Sequence, residues 1–177
     1  MKKLFFAAIA AFAIEGVAVA ETQDTLRVQQ LGEVTVKGVR AAKDAPFAVA
    51  NVKKQQLQEF SKTGQELPFL FARTPGVLAW SENGVGTGTT YMRIRGAAGS
   101  RINVTLDGVA LNSPEDQCVF WANMNSFGSL LGSAQIQRGV GTSSNGDGAF
   151  GGTISLMTAL PQHNPSAEVS ASYGSYN

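Results

Sequence analysis

From Pro46 onward, hydrophobic and polar residues change period several times, and each change marks an element. Phe47 to Val52 (FAVANV) predicts a strand, and the polar stretch Lys53 to Phe60 a helical turn. Leu67, Leu70 and Phe71 recur at i, i+3 and i+4, which predicts a short amphipathic helix within Gln65–Arg73. Thr63 and Glu66 have capping-box spacing at its start, and Pro68 fits only in a first turn. Pro75 stops the helix and Gly76 lets the chain reverse. Val77–Glu82 predicts a strand, and Asn83–Thr90 (NGVGTGTT) a glycine-rich loop.

Tyr91-Met92-Arg93-Ile94-Arg95 alternates cleanly, with Tyr91, Arg93 and Arg95 on one face and Met92 and Ile94 on the other. Asp107-Gly108 between INVTL and VAL predicts a tight hairpin whose central residues need positive φ. That turn accounts for Asp107 without catalysis. Trp121–Leu131 reads as a short helix or helical turn, interrupted by Gly128. A strand ending at Arg138-Gly139, a Gly/Ser/Asn loop and a strand from Thr153 complete the pattern. Gly139, Gly151 and Gly152, like Gly96 and Gly108, are read as structural turn positions. The run of glycines implies a backbone that bends sharply or packs directly against something. After Pro161–Pro165, Ala167, Val169, Ala171 and Tyr173 alternate with Glu168, Ser170, Ser172 and Gly174, as in a barrel strand or a soluble half-buried one.

Ahead of Pro46 the pattern is different. Lys2 and Lys3, an apolar run from Leu4 to Ile14 and Ala18-Val19-Ala20 have the form of a signal peptide over residues 1–20. The apolar run is too short to span a bilayer. Residues 21–30 are polar and aperiodic. Val34 and Val36 then alternate with Thr35 and Lys37 in an isolated strand-competent segment. Of 14 basic and 13 acidic residues, the signal removes Lys2, Lys3 and Glu15, which leaves the remainder formally neutral. That balance gives no footprint for nucleic acid.

Candidate chemistry is sparse. Gly146-Asp147-Gly148-Ala149-Phe150-Gly151 fits a dinucleotide fingerprint formally, but a strand follows it where a phosphate-binding helix is needed. The single cysteine, Cys118, reads as a small buried apolar residue, and the single histidine, His163, stands in a linker. One histidine and one cysteine assemble neither a nucleophile–base pair nor a metal site, so neither an enzyme nor a resident cofactor is expected.

Three segments in order carry a family resemblance: Arg73-Thr74-Pro75-Gly76-Val77; Tyr91 to Gly96 followed by Asn103 to Val109; and Gln135 to Thr158 with its Gly151-Gly152-Thr153-Ile154. They resemble the plug domain of TonB-dependent outer-membrane receptors over roughly residues 31–160. The resemblance implies an α+β fold, a mixed four-stranded sheet with short helices, followed by the start of a transmembrane β-barrel. It divides the chain into a signal (1–20), a flexible leader (21–44) with a TonB box at 31–38, the plug (45–160), and a linker with the first barrel strand (161–177). It implies that Glu33, Val34, Thr35 and Val36 bind the periplasmic domain of TonB by strand addition. Arg93, Arg95 and Arg138 would meet the inner wall of a barrel of roughly 22 strands. The chain as written would then be a fragment or an isolated plug.

The implied function is gating of TonB-energised uptake of a scarce nutrient across the bacterial outer membrane. No extra domain separates signal from box, which favours an iron-siderophore, haem or cobalamin over a glycan. The competing class is a small secreted periplasmic or surface binding domain, complete as written. The reading frame beyond Asn177 separates the two.

Overall fold

The computed structural model describes residues 40–42, 45–125, 127–140 and 148–161, together with 165, 167, 169 and 171. The signal, the segment Glu33–Val36, His163, Asp147 and most of the alternation after residue 166 lie outside them. Seven strands are described: β1 (Ala48–Lys53), β2 (Val77–Ser81), β3 (Thr90–Ile94), β4 (Ile102–Leu106), β5 (Val109–Ala110), β6 (Leu131–Arg138) and β7 (Gly152–Thr158). The described helices are α1 (Lys54–Ser61), α2 (Leu67–Phe71) and α3 (Phe127–Leu130), with 3₁₀ turns at Gly99–Arg101, between β3 and β4, and at Trp121–Met124, ahead of α3.

The mixed sheet has the order β1-β6-β7-β4-β5; four strands are long, and β5 is a two-residue edge. Among the described strands only β4 and β7 pair in parallel, which the long return from β4 through β6 permits. β2 and β3 form a separate antiparallel ribbon.

Alternation decides what the sheet faces. Ile102 and Val104 of β4, Ala134 and Ile136 of β6, and Ile154 and Leu156 of β7 point into one buried cluster. A register shift between Leu131 and Ser133 puts Leu131 on that side too. Leu57 and Phe60 of α1 and Leu67, Leu70 and Phe71 of α2 close the cluster from above. The Phe71 ring meets Trp121 edge-on at 5.9 Å. The opposite face is polar yet also buried, carrying Thr105, Gln135, Gln137, Thr153 and Ser155.

Several expectations change in detail. The capping box expected at Thr63 and Glu66 does not form. Thr63 Oγ1 instead donates to Phe60 O and accepts from the Gln65 amide, and Glu66 is itself the N-cap, buried at the positive end of α2. Pro68 does occupy the first turn. The reciprocal bond appears one helix earlier, where the Lys53 amide donates to Gln56 Oε1 at 3.0 Å. Gly128 does not interrupt a helix. It lies within α3, where a Cβ would sit in ordinary contact, 3.4 Å from Ser61 Cβ and 3.5 Å from Leu67 Cδ2. β6 begins at Leu131, four residues before the expected Gln135.

The turns divide into two kinds. Asp107 (φ 50°) and Gly108 (φ 87°) both take positive φ, as the hairpin demands. Arg95 (φ 49°) and Gly96 (φ 84°) do the same, and Ile94 and Ala97 exchange main-chain hydrogen bonds around them. β3 therefore ends at Ile94, and Arg95 does not continue the face of Tyr91 and Arg93. Gly139 (φ 90°) is a true bend. Gly151 and Gly152 are not turns that need positive φ. A Cβ on Gly152 would lie 2.6 Å from Gln137 O and 3.1 Å from Ile94 Cδ1, and one on Gly151 would overlap Ala97 Cβ. Both are glycine because another chain segment occupies the side-chain space.

Asp107 does more than turn. Its carboxylate accepts from the Thr158 amide at 3.0 Å and from Thr158 Oγ1 at 2.8 Å, tying the β4–β5 hairpin to the end of β7. Replacing Gly152 by Ala is expected to destabilise the domain by about 1–3 kcal/mol through overpacking. The midpoint of denaturant unfolding measures it, and an unchanged midpoint would show that the Gln137 backbone yields freely.

Candidate functional site

Three groups of side chains stand out from the packed core. The first surrounds the Pro75-Gly76 turn. Gly76 O accepts from the Arg95 amide at 2.7 Å, and Arg138 Nη1 donates to Pro75 O at 2.8 Å. A Cβ on Gly139 would stand 3.2 Å from Arg95 Nη1. Arg95 and Arg138 are thus brought to one turn, from β3's end and β6's end. Arg138 is half-buried, and its Nε is buried without a hydrogen-bond partner. Arg93 is elsewhere. Its guanidinium lies 5.8 Å from the Trp80 ring centroid, on the exposed side of the β2–β3 ribbon. Among the described residues none of the three arginines pairs with a carboxylate.

The second group is a clasp that the sequence reading missed. Arg40, inside the stretch assigned to the leader, lies across β6 and β7. Its Nε and Nη1 donate to Ser155 Oγ (3.2 Å) and Ser133 Oγ (2.9 Å), and its Nη2 to the carbonyls of Ser155 (3.0 Å) and Ser133 (3.2 Å). The next residue is held as well. The Ala41 amide donates to Gln135 Oε1 at 2.8 Å, and Gln135 Nε2 donates back to Ala41 O at 3.1 Å and to Asn51 Oδ1 at 2.9 Å. Burial lowers the Arg40 pKa from its ordinary value, and the charge of Asp107 partly opposes that. Nothing local in the leader marks Arg40. The polar row Ser133, Gln135 and Gln137 on β6 was the legible half of this contact.

The third group lines a cleft of about 200 Å³ between the β2–β3 ribbon and the segments around Gly99 and Val119. Trp80 and Tyr91, register partners, stack at 5.5 Å with Arg93 beside them. The Tyr91 hydroxyl donates to Glu82 at 2.9 Å, and that bond raises its pKa. Cys118 is half-buried in the cleft wall, not fully enclosed as expected, and desolvation followed by Asp116 raises its pKa, which disfavours the thiolate. The glycine-rich loop above is braced from within. Asn83 Oδ1 accepts from Ser81 Oγ and the amides of Val85 and Gly86, and Gln65 Nε2 donates to Val85 O.

None of the described His, Cys, Asp and Glu residues cluster as a metal site would require, and no described helix is long and apolar enough to cross a membrane. The expected TonB-binding residues, Glu33 to Val36, lie outside the described residues.

Comparison with known proteins agrees with this architecture. The siderophore receptor PiuA from Acinetobacter baumannii aligns over 75% of this chain and 17% of its own, at 17% identity and a TM-score of 0.51. The siderophore receptor PirA from the same organism covers 64% of this chain and 17% of its own, at 19% identity and 0.50. A mutant of the ferric enterobactin receptor PfeA from Pseudomonas aeruginosa covers 66% and 18%, at 18% identity and 0.50. The matched region is thus under one fifth of each solved receptor, and at these identities the likeness is one of fold. No curated protein matches the sequence. The family model for the TonB-dependent Receptor Plug Domain matches residues 41–153, beginning one residue after the clasp arginine and spanning more than half of the chain. This chain belongs to the TonB-dependent receptor plug family.

Proposed function

We propose that this chain is the gating portion of a bacterial outer-membrane receptor that takes up a scarce nutrient, an iron-siderophore in preference to haem or cobalamin, with energy delivered through TonB. The observation that carries this reading is a set of arginines that have no carboxylate partner among the described residues. Among the described residues Arg93, Arg95 and Arg138 leave planar donors unspent, and the Arg138 Nε is buried without a hydrogen-bond partner. A carboxylate on the inner wall of an enclosing barrel would satisfy such donors bidentately. Polar seating also suits a part that must move, because water can replace each partner as it leaves.

Glu33, Val34, Thr35 and Val36 supply the handle. An extended segment there adds to a sheet of the TonB periplasmic domain through main-chain hydrogen bonds. The aromatic and cationic cleft at Trp80, Tyr91 and Arg93 presents flat apolar surface beside a fixed positive charge, which fits a ligand with planar anionic groups. The partners are therefore the barrel, TonB and a small-molecule nutrient, at the outer membrane, with the chain exported on its signal; no nucleic acid is involved. Transport on this reading involves no covalent chemistry.

Uptake of a radiolabelled ferric siderophore under iron limitation tests the reading, alongside haem and cobalamin as competing probes. Val34→Pro removes a main-chain donor and is expected to abolish both uptake and calorimetric binding of the TonB periplasmic domain, while surface binding of the siderophore persists. Uptake that survives the proline would reject the segment as the handle. Replacing Arg138 by Met in the receptor is expected to cost about 3–5 kcal/mol if it leaves a buried wall carboxylate unpaired. Denaturant unfolding reads that loss, and an unchanged stability would move Arg138 out of the seating contact.

A further inference from the structure

We propose that the unpaired edge of β3 is a binding site for the main chain of a short, peptide-built ligand that carries a carboxylate. The inference deepens the uptake reading by naming the ligand's chemistry and rests on it for the nutrient role alone. The open edge is observed independently.

Register and hydrogen bonding fix which groups lie on that edge. The Arg95 amide donates to Gly76 O at 2.7 Å and the Glu82 amide to Thr89 O at 3.1 Å, one bond at each end of the β2–β3 ribbon. Antiparallel ladders alternate between bonded and non-bonded pairs. Leu78–Arg93 and Trp80–Tyr91 are therefore bonded pairs, while Ala79–Met92 and Ser81–Thr90 fall between them. The N–H and C=O of Thr90, Met92 and Ile94 consequently point away from β2. Ile94 spends both on Ala97. Thr90 and Met92 have no such partner among the described residues, and both line the cleft. The Thr90 side chain, 7% exposed, adds a hydroxyl buried with no hydrogen-bond partner.

Elsewhere the fold closes such an edge. Beyond β5, Asn112 Oδ1 accepts from the Val104 amide at 2.8 Å and Asn112 Nδ2 donates to Ile102 O at 2.9 Å, so a side chain takes the place of a strand beside β4. At β3 the opening is a cleft instead. Residues of an extended ligand that face one side recur at roughly 6.8 Å, the spacing from Thr90 to Met92, so main chain meets both where a compact acid would meet one. Arg93, in the cleft wall and without a carboxylate partner among the described residues, complements the ligand's charge. The segments around Gly99 and Val119 bound the cleft opposite the ribbon, which leaves no place for the second strand a folded partner would bring. A short free peptide fits; a sheet does not.

The test is calorimetry of acetyl-Ala-Phe-Ala with the full receptor, its ring matched to the Trp80–Tyr91 pair. Saturable binding is expected, and N-methylation of its three amides in turn is expected to alternate, about tenfold weaker at one and nearly unchanged at the next. Thr90→Pro removes an outward N–H and no bond to β2, and is expected to weaken binding about tenfold. Arg93→Gln is expected to erase the preference for the free acid over its C-terminal amide. No saturable binding below about 1 mM would overturn the proposal, as would N-methylation costing the same at every amide. Slow hydrogen exchange at the Thr90 and Met92 amides before peptide is added would overturn it too, because the barrel would then already pair with the edge. If Thr90→Pro fails to fold, the N-methyl series on wild type decides alone. Neither TonB nor transport enters the measurement, so alternation in a receptor that fails the uptake test keeps the site and rejects only its nutrient role.

Discussion

The antiparallel pairing of β6 with β7 is the contact on which the remaining structure depends. β1 hangs on the outer edge of β6, and β4 joins through β7, so each reaches the sheet only by way of this pair. Gly152 sets the closeness of the pairing, for Gln137 O occupies the place of its missing side chain. Gly139 and Gly151 close the far end, where the Gly139 amide donates to Gly151 O and the Gly151 amide to Arg101 O. Asp107 secures the near end through Thr158. Both ends of β7 are thereby fixed by contacts that do not involve the apolar core.

The core itself was readable because period and burial coincide. Leu67, Leu70 and Phe71 on the helix, and Met92 and Ile94 on β3, are buried where alternation puts them. The Asp107-Gly108 hairpin followed from turn chemistry alone. What escaped was set by contacts distant in sequence. Gly151 and Gly152 look like turn glycines locally, and only the position of Ala97, Ile94 and Gln137 reveals that they are glycines of close approach. Arg95 looks like a continuation of the Tyr91–Arg93 face, since arginine seldom signals positive φ. Its amide is claimed by Gly76 O and its place in the turn by Gly96. Arg40 lies 93 residues from Ser133 and 115 from Ser155 in sequence, beyond any local pattern.

A sheet buried on both faces ordinarily reads as continuous apolar strands. This one alternates, with an apolar face against the helices and a polar face holding Thr105, Gln135, Thr153 and Ser155. The polar face contributes less to stability, since Thr105 Oγ1 and Thr153 Oγ1 are buried with no hydrogen-bond partner. It offers hydroxyl and amide acceptors at fixed positions in return, and the Arg40 clasp uses two of those side chains, Gln135 and Ser155, together with Ser133.

The difference between the two faces separates stability from release. Helices α1 and α2 bind to the sheet by burying Leu57, Phe60, Leu70 and Phe71, contacts whose loss exposes apolar surface to water at about 25 cal/mol per Å². The clasp binds by polar groups that water satisfies nearly as well, so its opening costs only the small net value of each hydrogen bond. A pull applied at residue 40 would therefore meet the weak face first and the core last. The order follows from which face of β6 carries Ser133 and Gln135 and which carries Ala134 and Ile136, a consequence of strand alternation alone.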